Sequence, residues 1–541
     1  MFSDLEVDTE DLTELLQRDH TLKGGVLVGI EGHIIEIQAR ATKVLRNPKD
    51  FISATAITGM ARGAIQEVLG RIHGAFMKLG IPKSPVEILI NLAPASLLKE
   101  GTWLDLPIAM IMLQAAGFLP DLSESLEQSF VMMGEIGIHG DIRRVPGTLS
   151  IAFAAGPRQR IIVPEENKKE CALVQLKGGC EECFAYPVEP LEQVINYFLG
   201  KIQLKSATSE RIDFEPAIDK PVDFSAIKGQ KDAKEAALIC AAGGHNLLMI
   251  GPPGEGKSLI ASAIPGILPS LTNAEKAELT CIYSACGHLD RDSMAVTRCP
   301  MRTINSTASV QAIVGGGTGI PRPGEITLAH LGVLFMDEFP EFNRSALESL
   351  RYPLESGTVH ISRAAASLEF PARFTLVAAM NPCPCGFFGY GKCKCKESEI
   401  QKYQNRISGP ILDRIDLKVE LNKLDIDTRF SSEKQATTNE MKAIVQKARN
   451  VQLKRFEGTS IPFNAAIPGG AIREYCQFSD AAFEHYKQIV EEKSMSTRTM
   501  DRLAKVARTI ADIAGSKTLE PQYLDRAAFF VVGGVLKFAM K

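Results

Sequence analysis

Residues 251–258 decide the fold of this chain, and they read Gly251, Pro252, Pro253, Gly254, Glu255, Gly256, Lys257 and Ser258. The stretch fits the pattern Gly-x-x-x-x-Gly-Lys-Ser of a phosphate-binding loop. Its glycines let the backbone turn so that amide groups converge on phosphate oxygens. The apolar run 247–250 before it and a helical pattern after it are the strand and helix that such a loop requires. We therefore predict an α/β nucleotide-binding core, against the alternative of a chance glycine-rich turn.

The last two residues of this loop have distinct expected roles. Lys257 is expected to reach the β- and γ-phosphates of a nucleoside triphosphate, and Ser258 to offer its hydroxyl to Mg²⁺. All eight residues of the loop are predicted to contact the nucleotide. The loop leads into a helix N-terminus, whose partial positive charge favours an anion such as phosphate. The sequence thus predicts ATP and Mg²⁺ as cofactors.

Two further apolar runs end in polar residues. Residues 333–336 are followed by Asp337 and Glu338, and residues 374–379 are followed by Met380 and Asn381. Asp337 is expected to hold the hydration shell of Mg²⁺, and Glu338 to polarise the attacking water. Asn381 is expected to orient that water or the γ-phosphate. Each feature alone is also typical of an ordinary strand end, but beside a complete phosphate loop they predict a hydrolytic set.

An arginine between two acids leaves two interpretations open. Arg414 follows Asp413 and precedes Asp416 by two positions. A surface arginine paired with acids is the ordinary explanation. The alternative is an arginine finger, which completes the active site of a neighbouring copy and stabilises charge on the γ-phosphate.

The length of 541 residues predicts roughly two to four domains. We expect an α/β unit at 1–205, a polar linker at 206–223, an α/β core with a parallel sheet at 224–420, and a mostly helical unit at 421–541. Within the last unit, residues 434–455, 479–493 and 497–514 have the periodicity of amphipathic helices.

Composition and charge exclude few function classes. The net charge is −3, with 45% hydrophobic and 23% charged residues, which is ordinary for a globular protein. A nucleic-acid partner would therefore have to be held by a local cluster of basic residues. The acidic start lacks the pattern of a signal peptide, and the apolar runs are short or interrupted. We expect a soluble, cytoplasmic protein without a membrane partner.

Cysteines and lysines crowd together after Asn381. Four of the twelve cysteines are Cys383, Cys385, Cys393 and Cys395, and the lysines around them are Lys392, Lys394, Lys396 and Lys402. Four thiolates suit a tetrahedral, structural Zn²⁺. The spacing of each pair is tighter than usual, so free thiols are the alternative. The lysines predict either contact with a DNA backbone or a solvated face.

Several motifs resemble the ComM/YifB proteins, which are bacterial magnesium-chelatase-like AAA+ ATPases related to the MCM-like clade. These motifs are Val314-Gly-Gly-Gly317, Pro323-Gly-Glu-Ile-Thr-Leu-Ala-His330, Val333-Leu-Phe-Met-Asp-Glu338, Ile361-Ser-Arg-Ala364 and Ala379-Met-Asn-Pro-Cys-Pro-Cys-Gly386. The resemblance covers most of the chain, and the motifs in combination are highly specific.

The resemblance implies a role for each residue of the candidate site. It implies Walker A at Lys257 and Ser258, Walker B at Asp337 and Glu338, sensor 1 at Asn381, the arginine finger at Arg414, and sensor 2 at Arg498 in a C-terminal helical lid. It further implies a ring motor, usually a hexamer, that acts as a DNA branch-migration helicase in DNA uptake and recombination. Arg363 is then expected on a hairpin that related helicases point into the ring pore.

The N-terminal part resembles the family domain that is related to the Lon protease fold. Proteolysis by such a domain needs a serine that a lysine activates. Aligning Lys99-Glu-Gly101 with the serine motif places Trp103 near the serine position, and residues 143–155 contain no lysine. We therefore expect a non-proteolytic scaffold. Where the family usually has Pro-His-His, this chain has Ile304-Asn-Ser306. We expect this segment to lie toward the ring pore. The difference therefore concerns the contact with the substrate and not the ATPase chemistry.

Three functions compete at this stage. The leading hypothesis is an ATP-driven hexameric DNA translocase or branch-migration helicase. A second is a chelatase-type motor that remodels a protein partner. A third is a nucleotide-switched assembly protein with slow hydrolysis, and the presence of Glu338 and Arg414 weighs against it. Arg363 and the lysines around the cysteines favour the first over the second.

Overall fold

The computed structural model describes residues 2, 5, 7, 11–99, 101–120, 130–156, 159–176, 184–207, 222–289, 295–317, 319–363, 366–430 and 435–532. Most of the predicted linker therefore lies outside the described residues. Within the described ranges, no helix combines the length and the apolarity that a membrane crossing requires.

A mixed seven-stranded sheet occupies the N-terminal part. Its strands and a small ribbon are β1 (Asp19–Val28), β2 (Glu31–Lys49), β3 (Thr55–Thr58), β4 (Ser84–Ala93), β5 (Phe130–Met132), β6 (Glu135–Ile136), β7 (Ile142–Arg143), β8 (Arg160–Pro164) and β9 (Phe184–Val188). The order is β3-β4-β2-β1-β5-β8-β9, with β6 and β7 paired separately. The helices are α1 (Asp11–Leu15), α2 (Phe51–Ala54), α3 (Arg62–Leu79), α4 (Asp105–Ala115), α5 (Thr148–Ala155), α6 (Lys168–Ala172) and α7 (Leu191–Phe198). Every residue of α4 is buried, which agrees with its apolar character on all sides.

The middle part is built on a second sheet of five parallel strands, and two short ribbons lie outside that sheet. The strands are β10 (Leu247–Ile250), β11 (Met301–Ile304), β12 (Gly315–Gly316), β13 (Arg322–Pro323), β14 (Val333–Met336), β15 (Thr358–Ser362), β16 (Ser367–Pro371), β17 (Thr375–Met380) and β18 (Leu417–Glu420). The helices are α8 (Lys231–Gly243), α9 (Lys257–Ile267), α10 (Asn273–Ala285), α11 (Val310–Val314), α12 (Glu325–Leu328), α13 (Arg344–Ser349), α14 (Arg351–Ser356), α15 (Glu397–Gln404) and α16 (Gly409–Leu412). The sheet has the order β11-β14-β17-β10-β18, and the pairs β12–β13 and β15–β16 are antiparallel ribbons outside it.

Alternation along the core strands supplies the two faces of this sheet. Leu247 and Met249 pack in one hydrophobic cluster with α8, α9 and the C-terminal helices. Leu248 and Ile250 pack in a different cluster on the other face. Because successive side chains of a strand point to opposite faces, a strand that is buried on both faces reads as an unbroken apolar run. The predicted mixed α/β class with a parallel core sheet is confirmed.

The chain after β18 contains helices and no sheet strand among its described residues. They are α17 (Ile426–Phe430), α18 (Thr438–Arg455), α19 (Ile472–Cys476), α20 (Asp480–Glu492), α21 (Thr497–Ala514) and α22 (Pro521–Val532). α18 contacts α8 and α9, and α22 contacts β18. His245 joins the two parts, since one ring nitrogen lies 3.1 Å from Asp416 Oδ2 and the other 2.8 Å from Thr509 Oγ1.

Candidate active site

The phosphate loop leaves the core sheet at the end of β10, the strand next to the edge strand β18. β10 lies between β17 and β18, so crossovers diverge at its carboxyl end, where α/β sheets bind ligands. Gly254 and Gly256 have φ of +83° and +87°, a conformation that side-chain-bearing residues rarely adopt. A Cβ at either position would meet no atom within 4 Å. The backbone conformation, and not crowding, therefore requires these glycines.

Lys257 turns its ammonium group back over this loop. The residue is 8% exposed, and its Nζ donates to Gly251 O at 2.7 Å, Pro252 O at 2.8 Å and Asn381 Oδ1 at 3.1 Å. Burial lowers the pKa of Lys257, and the charge of Asp337 opposes that shift. The loop thus holds a mostly buried cation against neutral oxygens, and this arrangement favours binding of an anion.

Ser258 and Asp337 meet although about eighty residues separate them in sequence. Ser258 Oγ donates to Asp337 Oδ2 at 3.0 Å. β14 brings Asp337 to this edge, since it runs parallel to β17, which in turn runs parallel to β10. A hydroxyl and a carboxylate are the hard oxygen ligands that Mg²⁺ prefers, so these two residues fit a metal that accompanies a nucleotide.

Glu338 has a strained backbone and an exposed side chain. Its φ of 51° and ψ of 43° lie in the left-handed region, which is unfavourable for a residue with a Cβ. The Glu338 amide donates to Asp337 Oδ1 at 2.8 Å. Strain of this kind persists where the surrounding structure imposes it, and it concentrates at functional sites.

Asn381 reaches the same edge from the neighbouring strand. Met380, the last residue of β17, accepts a hydrogen bond from the Gly251 amide at 3.2 Å. Asn381 follows at once, and its amide oxygen contacts Lys257. The structure therefore brings Lys257, Ser258, Asp337 and Asn381 together, with Glu338 beside them.

Arg414 lies at the opposite edge of the sheet. It precedes β18, which pairs with β10 in parallel, and its carbonyl accepts from Asn246 Nδ2 at 2.8 Å, just before β10 begins. The four residues of β10 separate the two edges by about 13 Å. The guanidinium pairs with Glu355 Oε2 at 2.5 Å and also donates to Arg351 O. The acids beside Arg414 in sequence are not its partners.

Arg498 lies near Arg414 and not near the phosphate loop. Its Nη1 is 3.9 Å from Asp413 Oδ2, and its side chain is 63% exposed. Arg502, one turn further along α21, donates to the carbonyls of Leu412 and Ile415 and fixes the helix against this segment. A cavity of about 790 Å³ opens here, and its basic lining residues are Arg373, Arg414, Arg449, Arg498, Arg502 and Lys505.

The four cysteines after Asn381 converge on one point. Their sulfur atoms all lie within 4.8 Å of one another, and none of the four forms a disulfide. Cys383 is fully buried, whereas Cys385, Cys393 and Cys395 are half-buried. The loop they form begins two residues beyond Asn381, so it adjoins the candidate active site.

The proposed DNA contacts are exposed but lie in separate places. Arg363 follows β15, and its guanidinium would be 3.2 Å from a Cβ at Gly316, so the two antiparallel ribbons lie side by side. Lys392 and Lys394 are exposed on the cysteine loop. Ala364, which belongs to the predicted hairpin, lies outside the described residues.

In the N-terminal part, Trp103 and Lys99 occupy the positions that were aligned with the serine motif of a Lon-type protease. Trp103 Nε1 donates to Pro146 O at 2.7 Å. Lys99 is buried, and its ammonium donates to Pro94 O at 2.6 Å and Leu97 O at 3.1 Å. Neither residue offers a hydroxyl nucleophile.

Sequence reasoning missed contacts around the phosphate loop. Gln230 adopts a left-handed conformation and donates to Asn422 O at 2.7 Å, and it also approaches Glu255 O at 3.5 Å. The signal available was a glycine, Gly229, followed by a polar residue at a helix start. Ile304 pairs with Met336, so the segment 305–306 leaves the sheet at the edge of Asp337, nearer the candidate site than the sequence indicated.

Comparison with known proteins finds the same relationship along the chain. The profile described as "Magnesium chelatase, subunit ChlI" matches residues 223–429, "Subunit ChlI of Mg-chelatase" matches 45–167, and "Magnesium chelatase, subunit ChlI C-terminal" matches 435–530. The protein YifB of Escherichia coli strain K12 is 38% identical over 88% of this chain and 90% of its own length. Competence protein ComM of Haemophilus influenzae is 36% identical over 92% and 95%. The magnesium-chelatase 38 kDa subunit of Cereibacter sphaeroides is 26% identical over 46% and 74%.

Proposed function

Because the chain belongs to the ComM/YifB family of magnesium-chelatase-like AAA+ ATPases, we propose that it is an ATP-driven ring motor that moves along branched or single-stranded DNA. One observation carries the proposal: Lys257, Ser258, Asp337 and Asn381 meet at one edge of the core sheet, whereas Arg414 and Arg498 lie at the other. In this proposal, hydrolysis needs both edges.

Each residue at the first edge has one task in hydrolysis. The loop amides and the Lys257 ammonium bind the β- and γ-phosphates. Ser258 and Asp337 would hold Mg²⁺, and the bound ion would neutralise phosphate charge. Glu338 accepts a proton from the attacking water, and Asn381 orients that water against the γ-phosphate.

The second edge serves the neighbouring copy of the chain. A heterologous contact that closes into a ring brings this edge of one copy to the phosphate loop of the next. Arg414 then leaves Glu355 and stabilises charge on the neighbour's γ-phosphate, and Arg498 acts beside it. The proposed assembly is a homo-hexamer.

The parts of the chain divide the work as follows. Residues 1–205 form a Lon-protease-like, non-proteolytic scaffold and 206–223 a linker. Residues 224–420 form the AAA+ ATPase core, and 421–541 form the helical lid. Two networks support such an arrangement, since His245 bridges the core to the C-terminal helices and Ser284 bonds Glu170 of the N-terminal part.

DNA is the proposed substrate for two reasons. A relative over nearly the full length is named a competence protein, and competence is the uptake of DNA. Arg363 is exposed on a ribbon beside a second, glycine-containing ribbon, and Lys392 and Lys394 add positive charge on the cysteine loop. Contacts of these cations with a phosphate backbone do not depend on base sequence.

The deciding experiment measures the ATPase rate with and without forked DNA, at low and at raised salt. We expect DNA to increase the rate and salt to weaken that effect, because backbone binding releases counterions. An unchanged rate at every salt concentration would favour the rival function, a chelatase-type motor that remodels a protein partner.

Matched variants make the same experiment specific. Arg363→Ala is expected to reduce the increase that DNA produces. Lys493→Ala removes one exposed cation from the end of α20 and is expected to leave the increase intact. Equal losses in both variants would attribute the DNA effect to net charge and not to the ribbon.

A further inference from the structure

The sulfur atoms of the four cysteines have the spacing of a metal-thiolate centre. Cys383 Sγ lies 3.4 Å from Cys385 Sγ and 3.7 Å from Cys393 Sγ, and the Cys385–Cys393 separation is also 3.7 Å. Zn–S bonds of about 2.3 Å at tetrahedral angles place sulfurs about 3.8 Å apart. A disulfide would need about 2.05 Å. We propose that Cys383, Cys385, Cys393 and Cys395 bind one structural Zn²⁺ that holds Asn381 against the phosphate loop.

Backbone amides around the cluster point at its sulfurs. The Phe388 amide donates to Cys383 Sγ with a separation of 3.3 Å. The amides of Phe387 and Lys394 donate to the sulfur of Cys385. Such hydrogen bonds are the contacts that orient the sulfur ligands of a metal. Four protein ligands fill the tetrahedral shell, so the ion has a structural role.

Exposed lysines alternate with the last two cysteines of this centre. Zn²⁺ with four thiolates carries two net negative charges. Lys392, Lys394 and Lys396 alternate with Cys393 and Cys395 and are exposed. The sulfurs therefore converge on one point, while the exposed lysines keep their ammonium groups in solvent.

The loop closed by the metal packs directly on the phosphate loop. Gly386 has φ of +83°, and a Cβ there would lie 2.8 Å from Pro253 Cδ and 3.8 Å from Asn381 Cγ. Gln404 Nε2 donates to Pro382 O at 2.9 Å from the other side. Because the cysteine loop contacts both Asn381 and Pro253, a fixed conformation of this loop fixes the positions of both residues. The positioning part of the inference rests on the proposed ATPase, whereas metal binding does not.

Metal analysis of the purified full-length chain tests the site itself. We expect about one zinc per chain, and Co²⁺ in its place should give the absorption spectrum of a tetrahedral thiolate site. Cys393→Ser should lose the metal, and Cys395→His should retain it, because a Cys₃His set also binds zinc. Cys286→Ser, away from the cluster, is the matched control. A zinc ratio near zero in wild type purified from zinc-supplemented medium would overturn the proposal.

Steady-state kinetics test the positioning role. In zinc-free Cys393→Ser, we expect kcat to fall roughly ten-fold or more with a smaller change in KM, and Cys395→His to restore it. Full kcat in a zinc-free variant would refute the positioning role while leaving the metal site intact. Zinc bound to a wild-type chain that hydrolyses no ATP would instead refute the proposed function alone.

Discussion

Lys257 is the cation on which nucleotide binding depends in the proposed ATPase. Its ammonium is mostly buried and faces the carbonyls of the phosphate loop. Lys257→Ala should weaken ATP binding by about 100-fold or more, on the order of 3 kcal/mol, since truncating one member of a buried charge pair is costly. A fluorescent ATP analogue measures the affinity, and Lys493→Ala serves as the charge-matched control. An affinity within two-fold of wild type would contradict the assignment.

Glu338 is expected to act on water and not on nucleotide affinity. Its backbone is in the left-handed region, and its side chain is exposed at the edge that carries Lys257. Glu338→Gln should keep ATP binding and lower kcat by roughly 100- to 10,000-fold, the usual contribution of a general base. Single-turnover and steady-state rates measure the effect.

A nearby acid provides the control for this variant. Glu341 lies three positions further on and pairs with Arg406 at the surface. An exposed ion pair contributes little, so Glu341→Gln should retain the wild-type rate. Normal turnover in Glu338→Gln would remove Glu338 from the catalytic set.

The elements that sequence predicted well are those buried on both faces or periodic over many turns. β10, β14 and β17 are continuous apolar runs, and the helix expected at 497–514 is Thr497–Ala514. β11 and β18 went unpredicted. Each has four residues, β11 is half-exposed and β18 contains the buried Lys418, so only pairing with the sheet identifies them. The motifs predicted which side chains lie at the carboxyl edge of the sheet. They did not predict that Arg414 pairs with Glu355, because that contact depends on tertiary packing.

The contact between α6 and α10 contains a buried carboxyl group, Glu170. Burial raises the pKa of Glu170 above its usual value, although Ser284 and Arg144 oppose the shift. The folded chain therefore holds a proton at pH values where the unfolded chain has lost it. The stability that Glu170 contributes is present below its unfolded pKa and is lost as pH rises through the folded pKa.

Glu170→Gln should consequently stabilise the chain at neutral and alkaline pH. We expect the melting midpoint to rise by roughly 2–4 °C at pH 8 and the gain to shrink toward pH 5. Calorimetry across this pH range measures the difference. Glu166→Gln, an exposed position in the turn before α6, should leave the midpoint unchanged. A gain that is equal at every pH would contradict the ionisation argument.

In the proposed ring, the two edges of the core sheet make a single chain an incomplete enzyme. The candidate hydrolytic residues lie at the carboxyl ends of the core strands. The basic cavity that contains Arg414 and Arg498 lies beyond the amino ends of the same strands. Arg414 is held by Glu355 within its own chain, and a neighbour's nucleotide must compete with that ion pair. Assembly and hydrolysis are thus coupled in the proposed ring, because each active site is completed only at an interface.

Mixing two inactive variants tests this coupling. Lys257→Ala removes the cation of the phosphate loop, and Arg414→Ala removes the arginine that is proposed to act on the neighbouring copy. In a random equal mixture, roughly a quarter of the interfaces combine an intact loop with an intact arginine, so we expect activity to recover toward that fraction. Mixing Lys257→Ala with Glu338→Gln should restore nothing, because both residues belong to the same half of the site. Recovery in neither mixture, despite co-assembly of differently tagged chains, would show that Arg414 does not act across the interface.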